Sequence, residues 1–190
     1  GSKPNETSTE YKAPFTIDIA NSEVQVKAVT ITSTGKSSPV VSGTYQKTEL
    51  IHSVQPLKMD AGLQVLMFQK AYSTVTKIEG EPSSIYTASK VELPENQPDQ
   101  FGLIMQGFIN APADGIYTFY TTSDDGSSIS IGGQLVVNND GPHGAEERMG
   151  EIALKAGYHP FELKYFEGGG GEALKAHISG PDMPKHCLKH

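Results

Sequence analysis

The apolar residues of this chain recur chiefly every second residue or in short continuous runs, and no segment carries a helical repeat for more than a turn or two. Val24, Val26 and Ala28 alternate with Gln25 and Lys27, and Leu174, Ala176 and Ile178 alternate with Lys175 and His177. A period of two places alternate side chains on opposite faces of a strand. The runs are short and are broken by turn residues, for which the 190-residue chain supplies 20 Gly and 12 Pro. The pattern predicts an all-β protein of sandwich or barrel type.

The breaks divide the chain into two β-rich parts. In the first, residues 1–47, the stretches 24–31 and 40–45 read as strands around a turn at 34–39. A module of about 45 residues buries little surface of its own. Residues 48–61 form a linker whose Leu50, Ile51, Val54 and Leu57 favour packing against a neighbour over free swinging. The second and larger part, residues 62–182, opens with a strand at 62–69. Residues 101–109 are apolar on both faces, as a central strand is, with Gly107 marking a bulge or close approach. Strands at 116–121 and 129–131 flank an acidic turn, and Gly132-Gly133 makes a two-residue hairpin to 135–137. Strands at 151–154 and 161–165 enclose a turn at Ala156-Gly157, and 174–178 is the last strand. Residues 83–100 and 138–149 are expected as loops, and 183–190 as a tail.

This order of motifs resembles the protective-antigen-type (PA-fourteen) domain of bacterial toxins, glycosidases and yeast adhesins. The matching residues are Phe108-Ile109, Ala113-Asp114-Gly115-Ile116-Tyr117-Thr118-Phe119, Ser123-Asp124-Asp125-Gly126-Ser127 and Ile131-Gly132-Gly133-Gln134-Leu135-Val136-Val137. Ala156-Gly157-Tyr158-His159 and Tyr165-Phe166-Glu167 complete them. The resemblance implies an antiparallel β-sandwich or barrel over 62–182. One departure is His177, where many members carry an aromatic residue, often Trp. In the first part, residues 5–15, 24–28 and 35–42 resemble the small sandwich module appended to chitobiases and other hexosaminidases, described as fibronectin-type-III-associated. Gly1-Ser2-Lys3-Pro4 matches the end of that module's opening motif, so the module is expected to be truncated, with a strand or two upstream.

Asp124 and Asp125 stand in a Ser/Gly turn, expected at the tip of a β-hairpin. Paired carboxylates there can bind a hard cation, hold sugar hydroxyls, or build the turn by accepting backbone N–H groups. On the residues alone all three readings stand, since two carboxylates supply only part of calcium's six to eight ligands. In the adhesin branch the matching acids are joined by a cis peptide and hold calcium that binds sugar hydroxyls. The resemblance therefore implies calcium at Asp124 and Asp125. Asn139, Asp140 and His143, in the loop leaving the next strand, are candidates to contact a carbohydrate or complete the cation shell, against the plainer reading of a polar turn. The four glycines at 168–171 lack the Lys-Ser/Thr and strand-to-helix context of a phosphate loop and are expected to rim the same end. Without Trp, the candidates for stacking on a sugar are Tyr72, Tyr86 and Phe166.

Catalysis finds no footing. Adjacent carboxylates cannot straddle a glycosidic bond, which needs a separation of about 5 Å or more. The six histidines show no metal-ligand spacing, Gly-x-Ser-x-Gly is absent, and Cys187 lies in the tail with His186 and His190. A formal net charge of −7 argues against a nucleic-acid partner. No apolar run approaches the roughly 20 residues of a membrane helix. The resemblance implies a non-catalytic, carbohydrate-binding accessory region of an extracytoplasmic glycoside hydrolase, whether periplasmic, cell-surface or secreted. A β-N-acetylhexosaminidase-like parent is expected first, with a sulfatase, fucosidase or β-glucosidase compatible. The expected partners are a glycan and the catalytic domain of the same parent chain. The competing class is a structural spacer that binds nothing.

Overall fold

The computed structural model describes residues 2–17, 19, 23–57, 61–95 and 98–188. Residues 18, 20–22, 58–60, 96–97, 189 and 190, which fall in the expected first module, linker, loop and tail, lie outside the described residues, as does residue 1. The chain forms two compact units, residues 1–49 and 50–190. In the first, β1 (Glu23–Ala28) pairs antiparallel with β2 (Val41–Gln46), Val24 opposite Tyr45. Ile31 bridges Ser37, and the turn between them is closed by the Thr32 N–H donating to the Lys36 carbonyl at 2.9 Å. No described residue of this unit is buried, as expected of a two-stranded ribbon, which buries little surface of its own.

The second unit contains β3 (Leu63–Phe68), β4 (Ser84–Ala88), β5 (Phe101–Ala111), β6 (Gly115–Asp124), β7 (Ser127–Ile131), β8 (Gln134–Asn139), β9 (Glu146–Leu154), β10 (Gly157–Glu167), β11 (Ala173–Gly180) and β12 (Met183–Cys187). One sheet has the order β4-β3-β5-β10-β7-β8 and the other β12-β11-β6-β9, with every pairing antiparallel. Inward residues of the first sheet, such as Leu63, Met105, Ile129 and Leu163, share one core with Tyr117, Phe119, Ile152 and Ile178 of the second. Each such side chain contributes about 1.5–3 kcal/mol by leaving water. The two-sided apolarity of β5 has a separate cause on each face. Phe101, Leu103 and Met105 enter the main core, while Ile104 packs on a smaller cluster of Phe68, Val75, Ile78 and Phe166. A short 3-10 turn, Val75–Lys77, helps build that second cluster at one end of the sheet.

Four expectations are corrected. Residues 84–88 form strand β4 within the stretch expected as loop, and β9 begins at Glu146, within the other expected loop. The expected tail contains β12, paired to β11. All three are edge strands or parts of them, where charged residues such as Glu146, Glu147 and Arg148, or Pro184, are tolerated and blur the strand pattern. The acidic turn is no hairpin tip either: β6 belongs to the four-stranded sheet and β7 to the six-stranded one, so the turn crosses between layers.

Candidate binding site at the acid turn

Toward the end of β6 the inward positions turn from apolar to hydroxylic. Tyr117 and Phe119 are followed on the same face by Thr121 and Ser123, both fully buried. Ser127 Oγ lies 2.9 Å from Thr121 Oγ1 and 2.7 Å from Ser123 Oγ, and Asn139 Nδ2 donates to Ser123 Oγ at 3.0 Å. This buried network joins the three hydroxyls to one another and to the Asn139 amide N–H, and gives the crossover a floor. Above it, Asp124 and Asp125 are joined by a cis peptide bond.

The two acids have different surroundings. Asp125 is 8% exposed, and its oxygens accept the His143 N–H at 3.1 Å and the Gly168 N–H at 2.9 Å. It thus ties the loop after β8 to the loop after β10. Among the described residues, no donor is found for the Asp124 carboxylate. A third acid, the fully buried Glu167 at the end of β10, joins them. One oxygen from each of Asp124, Asp125 and Glu167 lies within 4.8 Å of the others. Glu167 Oε1 accepts the Gly169 N–H at 2.6 Å. The Tyr165 hydroxyl sits 2.9 Å from Glu167 Oε2 and 2.5 Å from the Asp124 carbonyl oxygen, so its single proton serves one at a time. Burial pushes the Glu167 carboxyl above the usual range, and the charges of Asp125 and Glu172 push the same way against the bonds from Tyr165 and Gly169. Burial and Glu167 likewise push the Tyr165 hydroxyl up.

The glycine run explains itself here. A Cβ on Gly168 would stand 3.0 Å from Asp125 Oδ2, and one on Gly171 would stand 3.1 Å from Asp124 Oδ2. Side chains at 168 and 171 would crowd both carboxylates, and glycine lets the loop lie against them without displacing either. The donor set fits calcium: its oxygen ligands sit about 2.3–2.6 Å from the ion, so any two lie within roughly 5 Å of each other. Asn139 adds a second mark. Its Nδ2 also donates to the Glu146 carbonyl at 3.1 Å, which orients the amide and leaves the buried Oδ1 without a partner among the described residues.

The PA14 domain model matches residues 63–185, and the Fn3-associated model matches residues 1–45. The chain belongs to the PA14 domain family. Among solved structures, a PA14 sugar-binding domain from an RTX adhesin is 20% identical, with 67% of this chain and 94% of that one covered at a TM-score of 0.56. The A domain of epithelial adhesin 9 from Candida glabrata, in complex with Galβ1-4GlcNAc, is 14% identical over 70% of this chain and 87% of that one, at a TM-score of 0.53. An anti-sigma factor domain-containing protein from Clostridium clariflavum is 22% identical over 81% of this chain, at a TM-score of 0.59. The chain spans about half the length of the two anti-sigma factor domain-containing proteins it matches, 46% and 56%. These likenesses establish the fold. No curated protein matches the chain.

In this PA14 domain the candidate residues expected in one loop take distinct positions, Asn139 ending β8 and Asp140 and His143 lying in the loop after it. Asn139 is 1% exposed, beneath the crossover. Asp140 faces the 3-10 turn: Oδ1 accepts the Val75 N–H at 2.8 Å and Oδ2 the Thr74 hydroxyl. His143 packs beside Asp125, with Nδ1 2.9 Å from the Gly144 carbonyl and Nε2 3.0 Å from the Asn139 carbonyl. Two acceptors are satisfied together only by the doubly protonated ring. Burial opposes that charge, but the two carbonyls with Glu146 and Asp125 outweigh it and raise the His143 pKa. Of the stacking candidates, Phe166 is fully buried, and Tyr72 and Tyr86 are half-buried. His177 sits on the outer face of the four-stranded sheet, opposite Tyr120 and Cys187, with Nε2 3.5 Å from Cys187 Sγ. Glu167 belongs to the family motif Tyr165-Phe166-Glu167 but is not among the candidate ligands expected from the sequence. The available signal was its place in the alternation after Leu163 and Tyr165, which puts an acid on the buried face.

Proposed function

We propose that the acid turn is a calcium-assisted glycan site, and that the chain is a non-catalytic accessory region of an extracytoplasmic glycoside hydrolase. The observation carrying this reading is the convergence of Asp124, Asp125 and Glu167, one oxygen each within 4.8 Å, at the crossover between the two sheets. Asp124, Asp125 and Glu167 would hold the ion. Bound there, calcium supplies a hard Lewis acid that sugar hydroxyls can ligate. The protein's own part is positional. Asp125 holds the rims formed by the loop after β8 and the glycine run, Asn139 supports the floor, and Asp140 fixes the Thr74–Val75 wall. The RTX adhesin domain titled sugar-binding and the adhesin solved with Galβ1-4GlcNAc support a carbohydrate ligand. The Fn3-associated match beside the PA14 domain supports a multidomain parent, a β-N-acetylhexosaminidase-like enzyme first, whose catalytic domain would be the intramolecular partner. Among the described residues no helix is long and apolar enough to cross a membrane.

One observation favours the second reading, a spacer that binds nothing: both Asp125 oxygens already accept backbone amides, as a turn-building acid does. Calorimetric titration of EDTA-treated protein with calcium, followed by a glycan array with and without the ion, separates the two. Heat of binding and calcium-dependent array signals are expected. No heat at millimolar calcium would remove the cation, and an array at background on every sugar would leave the spacer.

A further inference from the structure

Two further acids border the acid turn and take no part in the cluster of three. Glu172 closes the glycine run, and its neighbour Ala173 stands directly opposite Asp124 where β11 pairs with β6. Asp99 approaches from the other side. Phe101 pairs with Glu167 across β5 and β10, so the residues just before Phe101 leave the sheet at the acid end. A Cβ on Gly169 would stand 3.8 Å from Asp99 Oδ2, and the Gly169 N–H itself donates to Glu167 Oε1 at 2.6 Å. Gln69 Nε2 donates to the Asp99 and Gln100 carbonyls at 3.2 and 3.3 Å, which ties this segment in place.

The charge around the turn is lopsided. Among the described residues no Lys or Arg forms an ion pair with Asp99, Asp124, Asp125, Glu167 or Glu172. The charges felt by Tyr165 and Glu167 are all negative, that of Glu172 among them. A divalent ion together with the doubly protonated His143 ring balances the three clustered carboxylates. Asp99 and Glu172, both exposed, are then left over as uncompensated charges on the bordering loops. Such charges attract a cationic group on a ligand and repel an anionic one. We infer, on the basis of the calcium-assisted glycan reading, that Asp99 and Glu172 make this site select glycans by charge: amine-bearing before neutral, and neutral before carboxylated or sulfated. Both residues act through space and ligate nothing, so they set specificity without belonging to the ion's shell. Two unit charges about 8 Å away through a water-like medium change the affinity for a singly charged ligand about fivefold at low salt.

The test is an array on which each disaccharide is present in neutral, free-amine, carboxylated and sulfated form, probed over a protein concentration series in millimolar calcium, with the signal in EDTA subtracted. It is run at about 0.01 M ionic strength and again at about 1 M salt. At low salt the wild type is expected to bind the amine form about fivefold more tightly than the neutral one, and the anionic forms about fivefold more weakly. At high salt the spread should close to within about twofold, whereas a preference set by shape would persist. Asp99→Asn/Glu172→Gln should show the narrowed spread already at low salt. Either substitution alone should remove about half of it, which keeps the test open should the double variant not fold. An anionic form bound as tightly as its neutral counterpart, a ranking unmoved by salt, or the wild-type ranking kept in the variants overturns the inference and leaves the calcium reading standing. Absence of calcium-dependent signal from every form removes the calcium reading, and the charge selection falls with it.

Discussion

Replacing Asp125 and replacing Asp124 should have different signatures, although the residues are adjacent and chemically identical. Asp125→Ala removes the acceptor for two backbone amides at once, those of His143 at 3.1 Å and Gly168 at 2.9 Å. A hydrogen bond to a charged acceptor contributes about 1.5–3 kcal/mol. Both amides lie near the surface and can regain water, so the lower value applies, about 3 kcal/mol for the pair. In a unit of this size that lowers the melting midpoint by about 10 °C. Asp124→Ala costs no comparable bond and relieves repulsion among the three acids, so its midpoint in EDTA should stay within about 3 °C of wild type. In calcium the two share one defect, because each loses a ligand and with it the calcium-induced rise in midpoint, so the gap between them seen in EDTA persists. The assay is thermal unfolding followed by circular dichroism, in EDTA and in millimolar calcium. An Asp125→Ala midpoint within about 2 °C of wild type in EDTA would refute the claim that this carboxylate ties the two loops together. A retained calcium shift in Asp124→Ala would refute its role as a ligand.

Calcium itself should stabilise the wild type by about 2.7 kcal/mol at a hundredfold excess over Kd, read as a rising urea midpoint. Gly126→Ala should destabilise by about 2–3 kcal/mol and abolish the calcium response, because a Cβ there stands 2.4 Å from the Phe166 ring and 2.8 Å from the Gly141 nitrogen. A normal melt for Gly126→Ala would show that the crossover can yield. Burial and then the cations Lys185, Lys175 and His186 depress the His177 pKa, against Glu147. The unfolded chain therefore binds this proton more tightly, and stability falls as pH drops from the ordinary value of 6.5 toward the lower folded one. His177→Gln should flatten that slope in urea melts between about pH 7 and about pH 5; an unchanged slope would assign it elsewhere.

Much of the sandwich is legible in the chain because its central strands bury one face or both. Residues 63–68, 101–111 and 157–167 carry dense alternating or continuous apolar patterns, since β3, β5 and β10 stand side by side in the middle of the larger sheet. The strands that escaped, β4 and β12 and the start of β9, lie at edges, where half the backbone and most side chains face water and no apolar pattern is demanded. The candidate site divides the same way. Asp124 and Asp125 stand out as neighbours in a turn, but their third partner, Glu167, is separated from them by four strands, β7 to β10, of which it is the last residue.

The period of two in the apolar residues, with Gly, Pro and Asn between runs, is enough to determine an all-β chain, because strand geometry allows no other placement of those side chains. The motifs around the acids are enough to mark their family. Neither could reveal that the acid turn steps from one sheet to the other, that Asp125 accepts N–H groups from two remote loops, or that Glu167 completes the cluster. Those depend on which strands become neighbours, and pairing is settled by the joint burial of whole faces rather than by any local run of residues.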